Sequence, residues 1–175
     1  MYPITVEKTS LDKVLLIKKP DWFKDFRGEY FETYNEKIYK EAGITMDFMQ
    51  DDISVSKKNV LRGIHGDQKT WKLVSCLVGE FYFVAVNWDE ASPQYGRWVS
   101  FILSEKNRWQ VLVPPKFGNG HLVLSETAMY QYKQSTEYDR AGQFTILWND
   151  PRLNIPWPVK NPILSERDGG AKRGK

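Results

Sequence analysis

Two histidines, His65 and His121, are the only imidazoles in the 175-residue chain, so few side chains can act as a general base near neutral pH. His65 closes the run Arg62 to His65 (Arg-Gly-Ile-His), and Lys72 follows seven residues later. A base and a cation of these types can remove a proton from carbon and stabilise the oxyanion that forms. Taken alone, His65 is equally consistent with a core histidine bonded to a backbone carbonyl.

These side chains must be positioned by β-strands. Apolar residues at Val60 and Ile64, and then from Leu73 to Val78, follow the pattern of two half-buried strands. Burial of unpaired polar groups costs several kcal/mol, on the order of 2–7. The arginine, histidine and lysine of this region must therefore satisfy one another or face a ligand cavity.

Similar short β-rich runs recur along the chain, separated by turn signals such as Gly79-Glu80 and Ser92-Pro93. This spacing predicts a sandwich or barrel, and a closed jelly roll hides its strand edges best. One helix is predicted over Tyr34–Ala42, with Asn35 as its cap and Gly43 as its stop. The predicted runs are Val14–Ile17, Phe48–Val55, Lys72–Val78, Phe81–Asn87, Trp98–Leu103, Trp109–Val113, His121–Leu124, Met129–Gln134 and Phe144–Leu147.

Composition predicts one globular domain over residues 1–168, because 41% hydrophobic and 14% aromatic residues suffice for a sizeable core. Residues 169–175 read as a mobile basic tail that carries Lys172, Arg173 and Lys175. Without these three residues, the 25 basic side chains fall to 22 and balance the 22 acidic ones. A neutral body argues against a nucleic-acid partner.

The single cysteine, Cys76, rules out a disulfide framework and a Cys/His zinc motif. Residues 1–10 lack the pattern of a signal peptide, and no apolar run approaches roughly 18 residues. We therefore expect a cytoplasmic protein without a membrane partner.

A metal centre has only a thin set of ligands, namely His65, Asp67 and His121. Lys72 occupies the region where a further ligand carboxylate is expected, and an ammonium repels a metal cation. The chain also lacks a nucleophile elbow and a glycine-rich phosphate loop. Proton chemistry without metal or cofactor remains.

Ten sequence blocks, in order and at matching spacing, resemble the dTDP-4-dehydrorhamnose 3,5-epimerase family over nearly the whole chain. They span 23–32, 48–51, 61–65, 71–74, 92–98, 124–126, 132–133, 148–151, 155–158 and 164–168. The resemblance implies an all-β, cupin-like jelly-roll barrel that acts on nucleotide-linked 4-keto-6-deoxy sugars without metal or cofactor. It also implies a homodimer paired through N-terminal strands.

By this resemblance, four residues are catalytic. His65 is the base, Asp168 holds it and stabilises its imidazolium, Lys72 stabilises the C4 enolate, and Tyr132 is the acid on the opposite face of the sugar. Taken alone, Tyr132 reads equally well as a core tyrosine. The resemblance further implies nucleotide and diphosphate contacts from Arg27, Glu32, Gln50, Arg62 and Arg167, with Tyr138 stacking on the base and Phe23 on its other side. We also expect substrate contacts from Asp52, Asn119 and His121, which differ from the family pattern.

The chain departs from the family pattern at four polar positions. Asn119 stands where the family has histidine, His121 replaces a phenylalanine, Asp52 an asparagine and Asn87 an aspartate. We expect these residues to surround one cavity and to change the substrate, with inversion at C3 dominant and inversion at C5 slow or absent.

Three alternatives remain. The chain is a 3,5-epimerase proper, a 3,4-ketoisomerase that uses the same enediolate chemistry, or a non-catalytic nucleotide-sugar-binding cupin. The residues leave open the nucleobase, the sugar and the capsule or O-antigen pathway that uses it.

Overall fold

The computed structural model describes residues 4–18 and 23–170, and regular structure within these ranges is nearly all β-strand. The described strands are β1 (Thr5–Lys8), β2 (Leu15–Lys18), β3 (Phe23–Asp25), β4 (Gly28–Tyr30), β5 (Gln50–Lys57), β6 (Leu61–Gly66), β7 (Lys72–Val78), β8 (Glu80–Asn87), β9 (Trp98–Ser104), β10 (Gln110–Val113), β11 (Phe117–Val123), β12 (Thr127–Gln134) and β13 (Phe144–Thr145). The helix α1 is Glu36–Glu41.

Eleven of the described strands form two antiparallel sheets. The first sheet has the order β1-β2-β10-β7-β12-β5, the second has the order β13-β6-β11-β8-β9, and β3 pairs with β4 in a separate hairpin. The core lies between the sheets, where Val74 and Val111 of the first pack with Phe81, Phe83 and Val123 of the second. The predicted all-β, cupin-like jelly roll is confirmed.

The helix covers the outer face of the first sheet. Asn35 caps it as predicted, because its side-chain oxygen accepts the backbone N–H of Ile38, although the helix is shorter than the predicted Tyr34–Ala42. Its one buried residue, Tyr39, packs against Ile17 and Leu73 of the sheet. Apart from this six-residue helix, which is too short to cross a membrane, the described residues contain no α-helix.

One strand extends further than the sequence indicates. The glycines of Pro114–Gly120 predict a turn before a strand at His121, but β11 already begins at Phe117. Gly118 and Gly120 lie within the strand because β6 passes close by. A Cβ on Gly118 would lie 2.7 Å from Ile64 Cγ2, and one on Gly63 would lie 2.6 Å from the Gly120 Cα.

Other differences concern short elements. Strand β1 and the hairpin β3–β4 were not predicted, and the run Phe144–Leu147 contains only the two-residue β13. Two to four residues give too little periodicity to mark a strand. The predicted basic tail lies outside the described residues, except for Gly169 and Gly170.

Candidate active site

A cavity of about 550 Å³ opens between the two sheets and is closed on one side by the C-terminal turn of residues 165–168. All four predicted catalytic residues line it. Lys72 and Tyr132 come from β7 and β12 of the first sheet, whereas His65 comes from β6 of the second. The cavity therefore has chemically active groups on opposing walls.

His65 and Asp168 form a close pair. The ring nitrogen Nε2 of His65 lies 2.6 Å from Oδ1 of Asp168, across 103 residues of sequence. Burial opposes ionisation of this carboxyl, but the bonds from His65, Ser165 and the Gly63 backbone outweigh it and lower the pKa of Asp168. An ionised Asp168 can hold His65 in one orientation and stabilise its protonated form.

Lys72 is the first residue of β7, and its side chain is only 8% exposed. Burial lowers the pKa of its ammonium, opposed by Asp67, whose Oδ2 lies 3.6 Å from the Lys72 Nζ. Asp67 also accepts the backbone N–H groups of Lys69 and Thr70, which fixes its carboxylate. Lys72 is thus a donor held at the cavity wall, suited to an oxyanion.

Tyr132 lies on β12, next to β7 in the first sheet. Burial raises the pKa of its phenol, and the carboxylate of Asp52 raises it further. The phenol therefore keeps its proton at neutral pH and can act only as an acid there.

Asn119, Tyr130 and His121 form one packed group in the cavity wall. The rings of His121 and Tyr130 stack at 4.2 Å and 7°, while the Tyr130 hydroxyl donates to Asn119 Oδ1 at 3.2 Å. Asn119 in turn donates to the backbone oxygen of His65 at 3.2 Å. Of the four departures from the family pattern, Asn119 therefore contacts the base directly, and His121 is linked to it through Tyr130 and Asn119.

His121 is buried and neutral. Burial lowers the pKa of its imidazole to about 3, and the nearby Arg62 acts in the same direction. Among the described residues, its Nε2 atom is buried without a hydrogen-bond partner.

Three predicted nucleotide-binding residues also line the cavity. Arg62 Nε donates to Ser56 Oγ at 2.9 Å, and Arg167 is held by Thr145 and Gln143. Tyr138, nearly half exposed, lies in the loop between β12 and β13. Guanidinium groups in a cavity with an aromatic ring at its edge can bind a diphosphate and a base.

Other predicted residues lie elsewhere. Gln50 and Asp52 are outside the cavity lining. Gln50 donates to Asp52 and accepts the Tyr138 backbone N–H. Asn87 was expected at the cavity, but its side chain bonds Ser92 and the backbone of Asp89 in the β8–β9 connection. That expectation is wrong because Asn87 ends its strand and stabilises the turn that follows.

Three predicted contacts lie on the N-terminal segment, away from the cavity of the same chain. Arg27 is exposed in the β3–β4 hairpin and pairs with Asp25 at 2.6 Å. Glu32 follows this hairpin, and Phe23 within it is 64% exposed. The cavity of a single chain therefore lacks Arg27, Glu32 and Phe23.

Several cavity residues were missed, namely Ser54, Tyr130, Arg140, Gln143, Ser165 and Glu166. The sequence does indicate Tyr130, because it lies two residues before Tyr132 and residues two apart on a strand share a face. Arg140 and Gln143 lie in a loop, where periodicity gives no indication of direction.

The three ligands considered for a metal are occupied otherwise: His65 bonds Asp168, Asp67 faces Lys72, and His121 stacks on Tyr130. Within residues 4–18 and 23–170, no three His, Cys, Asp or Glu side chains are grouped to hold a metal ion.

The whole chain is similar to known proteins. The family model of dTDP-4-dehydrorhamnose 3,5-epimerase matches residues 8–174. A dTDP-4-dehydrorhamnose 3,5-epimerase of Salmonella typhimurium is 42% identical, with 95% of this chain and 93% of the relative covered.

Solved structures show the same likeness. A dTDP-6-deoxy-D-glucose-3,5-epimerase of Legionella pneumophila, in complex with dTDP-4-keto-L-rhamnose, superposes with a TM-score of 0.90 at 40% identity and covers 96% of this chain and 91% of its own. A 3'-monoepimerase of Streptomyces bikiniensis, in complex with dTDP-quinovose, gives 0.84 at 28% identity, with 98% and 86% covered. The chain therefore belongs to the dTDP-4-dehydrorhamnose 3,5-epimerase family, a family of isomerases acting on carbohydrates, as its sequence motifs predict.

Proposed function

We propose that this protein epimerises a nucleoside-diphosphate-linked 4-keto-6-deoxy sugar by removing a proton beside the C4 ketone and returning one to the opposite face. The observation that carries this proposal is the placement of the His65–Asp168 pair and the Tyr132 phenol on opposing sheets around one cavity. Inversion requires a base and an acid on opposite faces of the substrate.

In the proposed reaction, His65 takes the proton from carbon, and the C–H electron pair forms an enolate with its charge on the C4 oxygen. Asp168 stabilises the imidazolium, and Lys72 donates to the enolate oxygen. Tyr132 then protonates the same carbon from the other side, and solvent restores its proton. No metal or cofactor takes part in these steps.

The nucleotide end is proposed to lie toward Tyr138, with Arg62 and Arg167 on the diphosphate. Both arginines reach the cavity on fixed strands or turns, and their bonds to Ser56 and Thr145 hold them in place. Bidentate pairing of guanidinium with phosphate oxygens suits this arrangement. Because the Salmonella typhimurium relative is named for a dTDP sugar and the two solved structures are complexes with dTDP sugars, dTDP is the first nucleotide to test.

Inversion at C3 is proposed as the main reaction, with slow inversion at C5. Inversion at a second carbon requires the sugar to be reseated between His65 and Tyr132, and Asn119 and His121 change the wall along which it moves. The Streptomyces bikiniensis neighbour is named as a 3'-monoepimerase. We place the reaction in the cytoplasmic synthesis of a sugar for cell-surface polysaccharide.

The test is incubation with dTDP, CDP and GDP 4-keto-6-deoxy sugars in deuterated water, followed by NMR of the product. Deuterium at C3 with inverted configuration supports the proposal, whereas equal and rapid labelling at C3 and C5 makes the protein a 3,5-epimerase proper. A product with its carbonyl moved to C3 indicates the 3,4-ketoisomerase, and binding without exchange indicates a non-catalytic cupin. The matched control is His65→Asn, which measures the deuterium exchange that occurs without the proposed base.

We also propose that the active form is a homodimer in which Arg27 of one protomer reaches the cavity of its partner. The β3–β4 hairpin presents exposed aromatic side chains, with Phe26 97% and Tyr30 72% exposed. The edge strand β5 exposes Ile53 and Val55 as well. Apolar surface of this kind favours a protein partner.

Mixing two inactive variants tests this arrangement. A heterodimer of Arg27→Ala and His65→Asn subunits would contain one cavity with an intact base and an intact arginine. If Arg27 acts across the interface, mixing restores up to about a quarter of the wild-type rate. If it acts within its own chain, no activity returns, and sedimentation analysis shows separately whether a dimer exists.

A further inference from the structure

Asp52 lies beside the proposed acid but not in the cavity. It is directly opposite Tyr132 in the antiparallel register of β5 and β12, and the two side chains are therefore cross-strand neighbours. Since side chains of facing residues lie on the same side of a sheet, this proximity follows from the strand pairing itself.

The carboxylate is held by two amides. Gln134 Nε2 donates to Oδ2 at 2.9 Å, while Gln50 Nε2 lies 2.9 Å from Oδ2 and 3.1 Å from Oδ1. Gln134 is itself 2% exposed, so the arrangement is fixed within the barrel. Asp51, the neighbouring residue, instead pairs with Lys133 at 2.7 Å.

Neutral amides fix a carboxylate without neutralising it. The Asp52 carboxylate therefore keeps acceptor capacity for a further donor, and the phenol of Tyr132 faces it across the strands. Burial raises the pKa of the Tyr132 phenol, and the neighbouring Asp52 carboxylate raises it further.

We infer that Asp52 is a positioning residue, which orients the Tyr132 hydroxyl and keeps its proton in place until an enolate forms. This inference rests on the proposed function for the role of Tyr132 as acid. The contact between the two side chains does not depend on that function.

The same contact affects the step after proton delivery. A tyrosinate formed at Tyr132 would stand beside the Asp52 carboxylate, and repulsion between the two charges favours its rapid reprotonation from water. Gln50 also accepts the backbone N–H of Tyr138 at 2.9 Å, so the group that holds Asp52 also holds the loop at the nucleotide end.

Asp52→Asn tests the inference, because it removes the charge and keeps the shape. Carbon-13 NMR of ring-labelled tyrosine, with the Tyr132 signal assigned from Tyr132→Phe, reports the state of the phenol without substrate. We expect this signal to move at neutral pH in Asp52→Asn. The matched control is Asp51→Asn, the same change one residue away on the other face of β5, in which the signal stays in place.

Catalysis provides the second readout. In deuterated water, Asp52→Asn should lower net inversion about tenfold, the effect of one lost hydrogen bond to a charged group, while deuterium still enters from the His65 face. Asp52→Ser should act in the same direction if the asparagine variant does not fold.

Two results overturn the inference: a Tyr132 signal unchanged in Asp52→Asn, or inversion and deuterium entry falling in parallel, as a purely structural defect would cause. Failure of the proposed function is distinguishable, because the protein would then turn over none of the sugars while the NMR signal still moved.

Discussion

Replacing His121 by phenylalanine removes a titrating group from the barrel interior, and we expect the stability of the protein to become less sensitive to acid. The folded protein holds this imidazole with a pKa of about 3, against 6.5 for an unperturbed histidine. A group with a lowered folded-state pKa contributes stability above its unfolded pKa, and this contribution is lost as the pH falls. Here the loss begins near pH 6.5 and continues toward pH 3.

The size of the effect follows from linkage. Between pH 7 and pH 5 the unfolded chain takes up a proton on His121 that the folded chain refuses, which removes roughly 2 kcal/mol from the free energy of unfolding. The phenylalanine variant lacks this component. The phenylalanine ring can keep the stack on Tyr130 and leaves no buried ring nitrogen without a partner. We therefore expect the free energy of unfolding of His121→Phe at pH 7 to be at least that of the parent, and at most about 1 kcal/mol higher.

The assay is urea unfolding at pH 7 and pH 5, at one protein concentration because a dimer would make stability concentration-dependent. The matched control is Tyr130→Phe, which loses the hydrogen bond to Asn119 but keeps the His121 imidazole, and should retain the full acid sensitivity. Equal losses of stability in His121→Phe and the parent between the two pH values would refute the reasoning.

Further expectations concern catalysis. His65→Asn should reduce kcat on the order of 10²- to 10⁴-fold with an unchanged circular dichroism spectrum, and a rate within about threefold of the parent would contradict the role of His65 as base. Asp168→Asn should lower kcat at least about tenfold, because the imidazolium loses its carboxylate, and an undiminished rate would show that the 2.6 Å contact serves structure alone. Tyr132→Phe should abolish net inversion yet allow deuterium to enter from the His65 face, and full loss of exchange would assign Tyr132 to proton removal instead. Dialysis against a chelator should leave the rate unchanged, whereas loss that one added metal restores would support a site at His65, Asp67 and His121.

Sequence periodicity was sufficient for the class of fold and for the strands that carry the site. The predicted runs at 72–78 and 129–134 put Lys72 and Tyr132 on strands, and the structure has these residues on β7 and β12. Periodicity could not pair His65 with Asp168, because that contact spans 103 residues and Asp168 lies in a turn. The assignment of Asp168 came from the resemblance of sequence blocks.

The differences have physical causes. Gly118 and Gly120 indicate a turn by composition, but they are needed where β11 and β6 approach too closely for side chains. The alternation of β5 correctly places Gln50 and Asp52 on one face, yet it cannot show that they bond each other rather than a ligand. Arg27 could not be located, because a hairpin outside the barrel has no periodicity to tie it to a cavity.

Because the proposed acid and base lie on different sheets, the packing of the core between the sheets sets the distance between them. Sheets that pack face to face stand about 10 Å apart, and the side chains between them set that distance. Phe81, Phe83 and Val123 are fully buried in this layer. A substitution there would change the distance between acid and base into which a sugar ring must fit. Variants of these core positions should therefore lose turnover before they lose the fold. The catalytic rate then reports how well the core is packed.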